Sequence, residues 1–265
     1  GPGISIVPDP AATVRPHPII SDGVSMNEFE VNLATTDGQM ECFIAQPDGG
    51  QPAPPVIIYM DVLGIREELF DFARRLAGQG YFAILPDMFY RAGRIRFDPA
   101  TDGIEKMFNV GRALTVDMAM SDTEAMLDYL EGNNDAGDKV GCMGYCMSGQ
   151  FVVAAAGNFP DRIGAAASLY GTRIVTDSPD SPHLLADRIQ AEIYLGWASE
   201  DPFVEDNVIP DLSKALDDNG VKYTSVTHPN TQHGYSFPQR PIYDETATEK
   251  DWAAIFDIYE RQLKQ

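Results

Sequence analysis

The pattern of apolar and polar positions changes character partway along the chain. In Glu28-Phe29-Glu30-Val31-Asn32-Leu33 the two alternate strictly, and Met40-Glu41-Cys42-Phe43-Ile44 is a second short strand-like run. Alternation marks a strand with one buried face, and the Thr36-Asp37-Gly38 separator predicts a hairpin at a sheet edge. The proline-rich stretch from Pro47 to Pro55 then joins two strands rather than two domains. From Val56 the grammar becomes continuous apolar runs followed by helical periodicity, as buried parallel strands with crossover helices require.

The predicted order is strand 56–60, then a helix over 66–79 that buries Leu69, Phe70, Ala73 and Leu76 and is closed by Gly80. Strand 82–85 leads into an irregular stretch over 86–103, then helices over 104–111 and 116–130. The remaining apolar strand runs are 140–145, 163–169, 192–197 and 223–228, with helices over 150–156, 211–216 and 245–263. This predicts an α/β fold with a mostly parallel central sheet, an antiparallel N-terminal hairpin and helices on both faces.

At 265 residues the chain suits one large domain. The expected division is an N-terminal extension over 1–26, in which Gly1-Pro2 reads as a protease scar, and a single domain over 27–265. No run approaches the roughly 18 apolar residues that span a bilayer, and the amino terminus has no basic segment followed by an apolar core. Three cysteines make no even disulfide framework, so a reducing, cytoplasmic setting with at least one free thiol is expected. Forty acidic against nineteen basic side chains give a formal charge of −21, which argues against nucleic acid and anionic membranes as partners. A surface so acidic serves solubility, and it also suits work in high salt, where screening removes self-repulsion. No apolar helix face marks an interface, so the expected state is a monomer.

The chemistry concentrates in Lys139-Val140-Gly141-Cys142-Met143-Gly144-Tyr145-Cys146-Met147-Ser148-Gly149. An apolar strand feeds a glycine-flanked cysteine and then a helix, the pattern of a nucleophile elbow. The nucleophile is then Cys146, because a G-x-S-x-G centred on Ser148 would need glycines where Cys146 and Gln150 stand. Asp61, Cys146, Asp201 and His233 each fall just past the carboxyl end of a predicted strand, where open α/β sheets collect reacting groups. The order nucleophile, acid, histidine is that of the α/β-hydrolase architecture.

These motifs resemble those of the dienelactone hydrolases, or carboxymethylenebutenolidases, over roughly 29–263. The resemblance rests on Gly144-Tyr145-Cys146-Met147-Ser148-Gly149, where the family has G-Y-C-x-G-G, and on Gly80-Tyr81 with Leu85-Pro86-Asp87-Met88-Phe89. It extends to Gly196-Trp197-Ala198-Ser199-Glu200-Asp201-Pro202-Phe203-Val204 and to His233-Gly234-Tyr235-Ser236-Phe237. It implies an α/β-hydrolase fold, a Cys146/His233/Asp201 triad, an oxyanion hole made by the Val62 and Met147 N–H groups, and no metal or organic cofactor. Asp61 matches the family's thiol-gating glutamate, one methylene shorter. The family's carboxylate-binding arginines have no clear equivalents: Glu105 and Lys106 stand near one place, Arg94 and Arg96 lie earlier in the loop, and Arg240 follows His233 by more than the usual gap.

Other positions have plainer readings. Cys42 and Cys142 are packing residues. Asp201 could cap the helix that follows it, with Asp206 as the fallback acid, and His228 is the lesser candidate base because Pro229 follows it. Tyr145, Tyr170 and Trp197 are candidates for the pocket wall, and Arg66 for pairing with carboxylates beside Glu67 on the helix surface. The leading expectation is a cysteine-dependent hydrolase of a small ester or lactone, acting through a thioacyl-enzyme. The alternatives are a broad carboxylesterase or thioesterase on the same scaffold, and a non-catalytic thiol sensor or binding protein.

Overall fold

The alternating N-terminal segment forms a long hairpin in the computed structural model, which describes residues 13–14, 19–21 and 24–264. Strands β3 (Val24–Thr35) and β4 (Gly38–Pro47) pair antiparallel with Thr35 opposite Gly38 and Met26 opposite Pro47. The turn is held by the Thr35 hydroxyl, which donates to Gly38 O at 2.9 Å and accepts from Asp37 N at 3.2 Å. Phe29, Val31 and Leu33 are buried, as the alternation predicts. Glu28 is buried too, because Arg74 reaches both of its oxygens at 2.7 and 3.3 Å.

The hairpin is not at the sheet edge. Two short strands, β1 (Thr13–Val14) and β2 (Ile19–Ser21), pair antiparallel with β3 and take up backbone groups that an edge would leave to solvent. Both belong to the extension predicted over 1–26; Gly1 and Pro2 lie outside the described residues.

The described residues fall into two compact units divided between Asp138 and Lys139. In the first, β4 pairs antiparallel with β6 (Phe82–Pro86), which pairs parallel with β5 (Pro55–Tyr59). Both β5 and β6 are buried throughout, hence their unbroken apolar runs. Helix α1 (Glu67–Gly78) buries the predicted stripe plus Phe72 and Ala77. The irregular stretch after β6 contains one 3-10 turn, Tyr90–Ala92, and is followed by α2 (Ile104–Ala113) and α3 (Val116–Glu131). Arg91 ties the stretch to α3, meeting both oxygens of the fully buried Asp122 at 2.8 and 2.9 Å.

In the second unit β7 (Val140–Tyr145), β8 (Ile163–Leu169), β9 (Glu192–Glu200) and β10 (Tyr223–Gln232) pair in that order, all parallel. Helices α4 (Gly149–Asn158), α5 (Val208–Asp218) and α6 (Glu245–Leu263) alternate with them, and a 3-10 segment, Pro182–Arg188, breaks the loop before β9. The α/β class expected from the sequence is thus the class found. Among the described residues no helix is long and apolar enough to cross a membrane.

Removing one partner of a buried ion pair strands the other's charge. Asp122→Ala is therefore expected to cost about 3 to 5 kcal/mol, read from the midpoint of denaturant unfolding.

Candidate active site

Because the second unit's strands are parallel, their carboxyl ends share one edge, and Cys146, Asp201 and His233 each directly follow a strand there. β7 is buried along its whole length and ends in a 3-10 turn, Cys146–Ser148, before α4 begins. Cys146 has φ of 57°, a left-handed conformation that costs a residue with a Cβ about 1 to 3 kcal/mol and must be held by its surroundings.

Two glycines make the turn possible. A Cβ on Gly144 would lie 2.7 Å from Ser148 O and 2.8 Å from Val152 Cγ2; one on Gly149 would lie 2.3 Å from the Gly171 Cα. Two further bonds hold the turn, from Thr172 N to Cys146 O at 2.9 Å and from Gln150 Nε2 to Met147 O at 2.8 Å. Cys146 is half-buried, whereas Cys42 and Cys142 are fully enclosed and burial pushes both of their thiols up. Those two are packing residues.

The structure brings the predicted trio together. His233 Nε2 lies 2.9 Å from Cys146 Sγ, and His233 Nδ1 donates to Asp201 Oδ2 at 2.7 Å. The other Asp201 oxygen accepts Phe203 N at 2.9 Å, so the residue is both the imidazole's partner and a cap for its own loop. Asp206 is exposed. The His233 ring stands edge-on to Tyr170 at 5.0 Å and to Phe203 at 4.8 Å. Burial alone would lower the imidazole pKa, but the Cys146 sulfur and the Asp201 carboxylate outweigh it and raise it from 6.5 to about 10.

His228 points elsewhere: it is 3% exposed, and its Nε2 donates to Asp251 Oδ1 at 2.7 Å. Trp197, a candidate for the pocket wall, is packed between strands with its indole N–H on Ser225 Oγ at 2.9 Å. Tyr145 and Tyr170 are also buried, their rings 6.1 Å apart beside the histidine loop. Arg240 is half-buried, its guanidinium against Gly234.

The remaining candidates belong to the first unit. Asp61 and Val62 follow β5 in a turn closed by Gly64 N on Asp61 O at 3.2 Å. Arg66, expected to pair with carboxylates beside Glu67, does meet Glu68 there and also turns back to Asp61. Its two terminal nitrogens meet the Asp61 carboxylate at 2.6 and 2.9 Å, and its Nε meets Glu68 at 3.3 Å. A fork that matches both oxygens of a buried carboxylate outweighs a solvated surface pair. Arg94 is likewise committed, to Glu41 at 3.1 Å, while Arg96 is exposed.

Sequence reasoning missed two supports of the histidine loop. The Thr231 and Ser199 side chains bond reciprocally to each other's backbone N–H at 3.1 Å, and Asp251 gathers donors from three places. An aspartate in an amphipathic helix reads as a solvent-facing residue, so nothing in the local pattern marks Asp251. Among the described residues no group of His, Cys, Asp and Glu could hold a metal ion.

The raised His233 pKa means the proton is fully held below 6.5 and given up only as pH rises through about 10. In Cys146→Ala the largest raising influence is gone. Titration of the His233 ring by NMR is expected to show its pKa falling from about 10 toward 6.5 in that variant.

The model of the dienelactone hydrolase family matches residues 40–263. A Methylorubrum extorquens protein provisionally named carboxymethylenebutenolidase is 25% identical over 246 residues, 91% of this chain and 83% of the relative. Protein usf of Aquifex pyrophilus is 28% identical over 243 residues, 90% of this chain and 98% of its own. Among solved structures, a provisionally assigned dienelactone hydrolase from Klebsiella pneumoniae superposes with a TM-score of 0.80 at 21% identity, covering 89% of this chain and 99% of the other. A dienelactone hydrolase-like promiscuous phosphotriesterase from metagenomic libraries gives 0.74 at 22%, over 89% and 98%. The fold is therefore that of the α/β hydrolases, and the chain belongs to the dienelactone hydrolase family, hydrolases of ester or lactone bonds.

Proposed function

We propose that the protein hydrolyses small neutral esters or lactones with Cys146 as nucleophile, through a thioacyl-enzyme. The observation that carries the reading is a single imidazole bonded on one side to the Cys146 sulfur at 2.9 Å and on the other to the Asp201 carboxylate at 2.7 Å. Asp201 fixes the tautomer by accepting the Nδ1 proton, which leaves Nε2 to take the thiol proton. The resulting thiolate and imidazolium stabilise each other, in keeping with a His233 pKa near 10.

In the first half-reaction a sulfur–carbon bond forms and the carbonyl π electrons move onto oxygen. The Met147 N–H, within the turn, is assigned to that oxyanion; a donor of this kind is worth about 3 to 4 kcal/mol. Collapse breaks the carbon–oxygen ester bond, and the alkoxide leaves with the proton from His233 Nε2. In the second half-reaction His233 takes a proton from water, hydroxide attacks the thioester, and the Cys146 thiolate departs. A neutral substrate is favoured by the net charge of −21 and by the commitment of Arg94 to Glu41.

The test is burst kinetics and intact mass with p-nitrophenyl acetate and a neutral lactone. A burst of one acyl group per chain, located on the Cys146 peptide, is the expected result. Cys146→Ala should abolish it, and Asp201→Asn should lower turnover on the order of 1,000-fold. A folded protein that acquires no acyl group from a range of esters and lactones would overturn the reading in favour of a thiol sensor.

A further inference from the structure

We propose that Asp251 is a positioning residue, a buried clasp that closes the 228–235 segment on itself and so fixes where His233 meets Cys146. This rests on the cysteine–histidine reading above. Two side chains that flank His233 in sequence converge on this one carboxylate. His228, ahead of it, donates from Nε2 to Oδ1 at 2.7 Å, and Tyr235, after it, donates its hydroxyl to Oδ2. All three are buried, with His228 and Asp251 at 3% exposure and Tyr235 at none.

The segment uses such a clasp because the strand ladder holds only part of it, with the Thr231–Ser199 bonds bridging the gap. The pairing of β10 with β9 is irregular between His228 and Gln232: the ladder skips 229–231 and resumes only at Gln232, opposite Glu200. Asn230 and Gly234 have φ of 56° and 90°, two left-handed turns that bracket His233 and that local preference alone would not keep in one arrangement. Asp251 answers from α6, an element outside the loop. The same helix end also holds the Tyr235 carbonyl, through Asp244 N and Thr248 Oγ1, both at 3.0 Å. The effect reaches the imidazole through packing: the Tyr235 ring stands edge-on to Tyr170 at 5.0 Å, and Tyr170 stands edge-on to His233 at 5.0 Å.

Asp251 also differs from four of the other buried carboxylates. Glu28, Asp61, Asp122 and Glu192 are each met by an arginine fork. Asp251 is satisfied instead by His228 and by two tyrosine hydroxyls, that of Tyr235 and that of Tyr194, 2.5 Å from Oδ1. Charge burial alone would be served by an arginine. Two of these donors, His228 and Tyr235, flank His233 in the chain and so serve its alignment, and catalytic rates fall steeply with sub-ångström to ångström misplacement.

The experiment compares Tyr235→Phe with Tyr194→Phe, which removes a bond to the same carboxylate from β9, outside the 228–235 segment. For each, the readouts are the His233 titration by NMR, kcat and KM on p-nitrophenyl acetate, and the thermal midpoint. Tyr235→Phe is expected to lower kcat on the order of 10- to 100-fold with KM little changed, and to move the His233 titration down from about 10. Tyr194→Phe is expected to lose thermal stability while keeping native kcat and titration. Asp251→Asn should reproduce the Tyr235→Phe result; if it fails to fold, Tyr235→Phe decides. A folded Tyr235→Phe with native kcat and titration, or a Tyr194→Phe with equal catalytic loss, overturns the clasp. If the native protein acylates with no ester, the functional reading fails, and the His233 titration still decides the clasp.

Discussion

The turn at Cys146 is the constraint on which the rest of the site depends. A cysteine in a left-handed conformation between a buried strand and a buried helix is tenable only where nothing crowds it. The absence of side chains at Gly144, Gly149 and Gly171 is what lets Ser148, Val152 and the loop after β8 close around the turn. The unfavourable backbone angle is held by that packing, and in return the sulfur is carried clear of the strand toward His233. A nucleophile on a regular strand or helix would have its side chain in the packed interior, as Cys142 does earlier on the same strand.

The imidazole shows two opposed electrostatic effects with a clear winner. Burial disfavours its cation, yet the sulfur on one ring nitrogen and the carboxylate on the other favour it more strongly, and the net direction is upward. Both influences are directional, so they persist only while the ring keeps its place. Tyr170 and Phe203 stand edge-on at its sides, and the bonds from Thr231 to Ser199 and from Tyr235 to Asp251 hold the loop ends.

A chain with nineteen basic residues against forty acidic ones sets several of its arginines against buried carboxylates. Arg66, Arg74, Arg91 and Arg261 each fork onto a carboxylate that is nearly or wholly removed from water. Such pairs leave no buried charge unmatched, though they add less stability than their number suggests, because desolvation offsets much of the attraction. The same arrangement is seen at Arg66. Glu67 on its helix faces solvent, whereas Glu68 takes the Nε and the buried Asp61 behind the helix start takes both terminal nitrogens.

The sequence by itself determined the elements and the local chemistry. Alternation in 28–33, unbroken apolar runs such as 56–60 and 163–169, and the stripe along the about five turns of 245–263 are set by which side chains must leave water, and that demand is written residue by residue. The glycine spacing around Cys146 marked the turn for the same reason, since only a missing Cβ allows it. What the tertiary structure alone decided was which distant groups meet. The covering of β3 by β1, the return of Arg66 to Asp61, the enclosure of Trp197 and the convergence of His228, Tyr194 and Tyr235 on Asp251 all join positions far apart in the chain or turned from their expected face. A local pattern records whether a residue prefers water. It does not record which buried partner, brought in by another element, will satisfy a polar group that the fold has closed off from solvent.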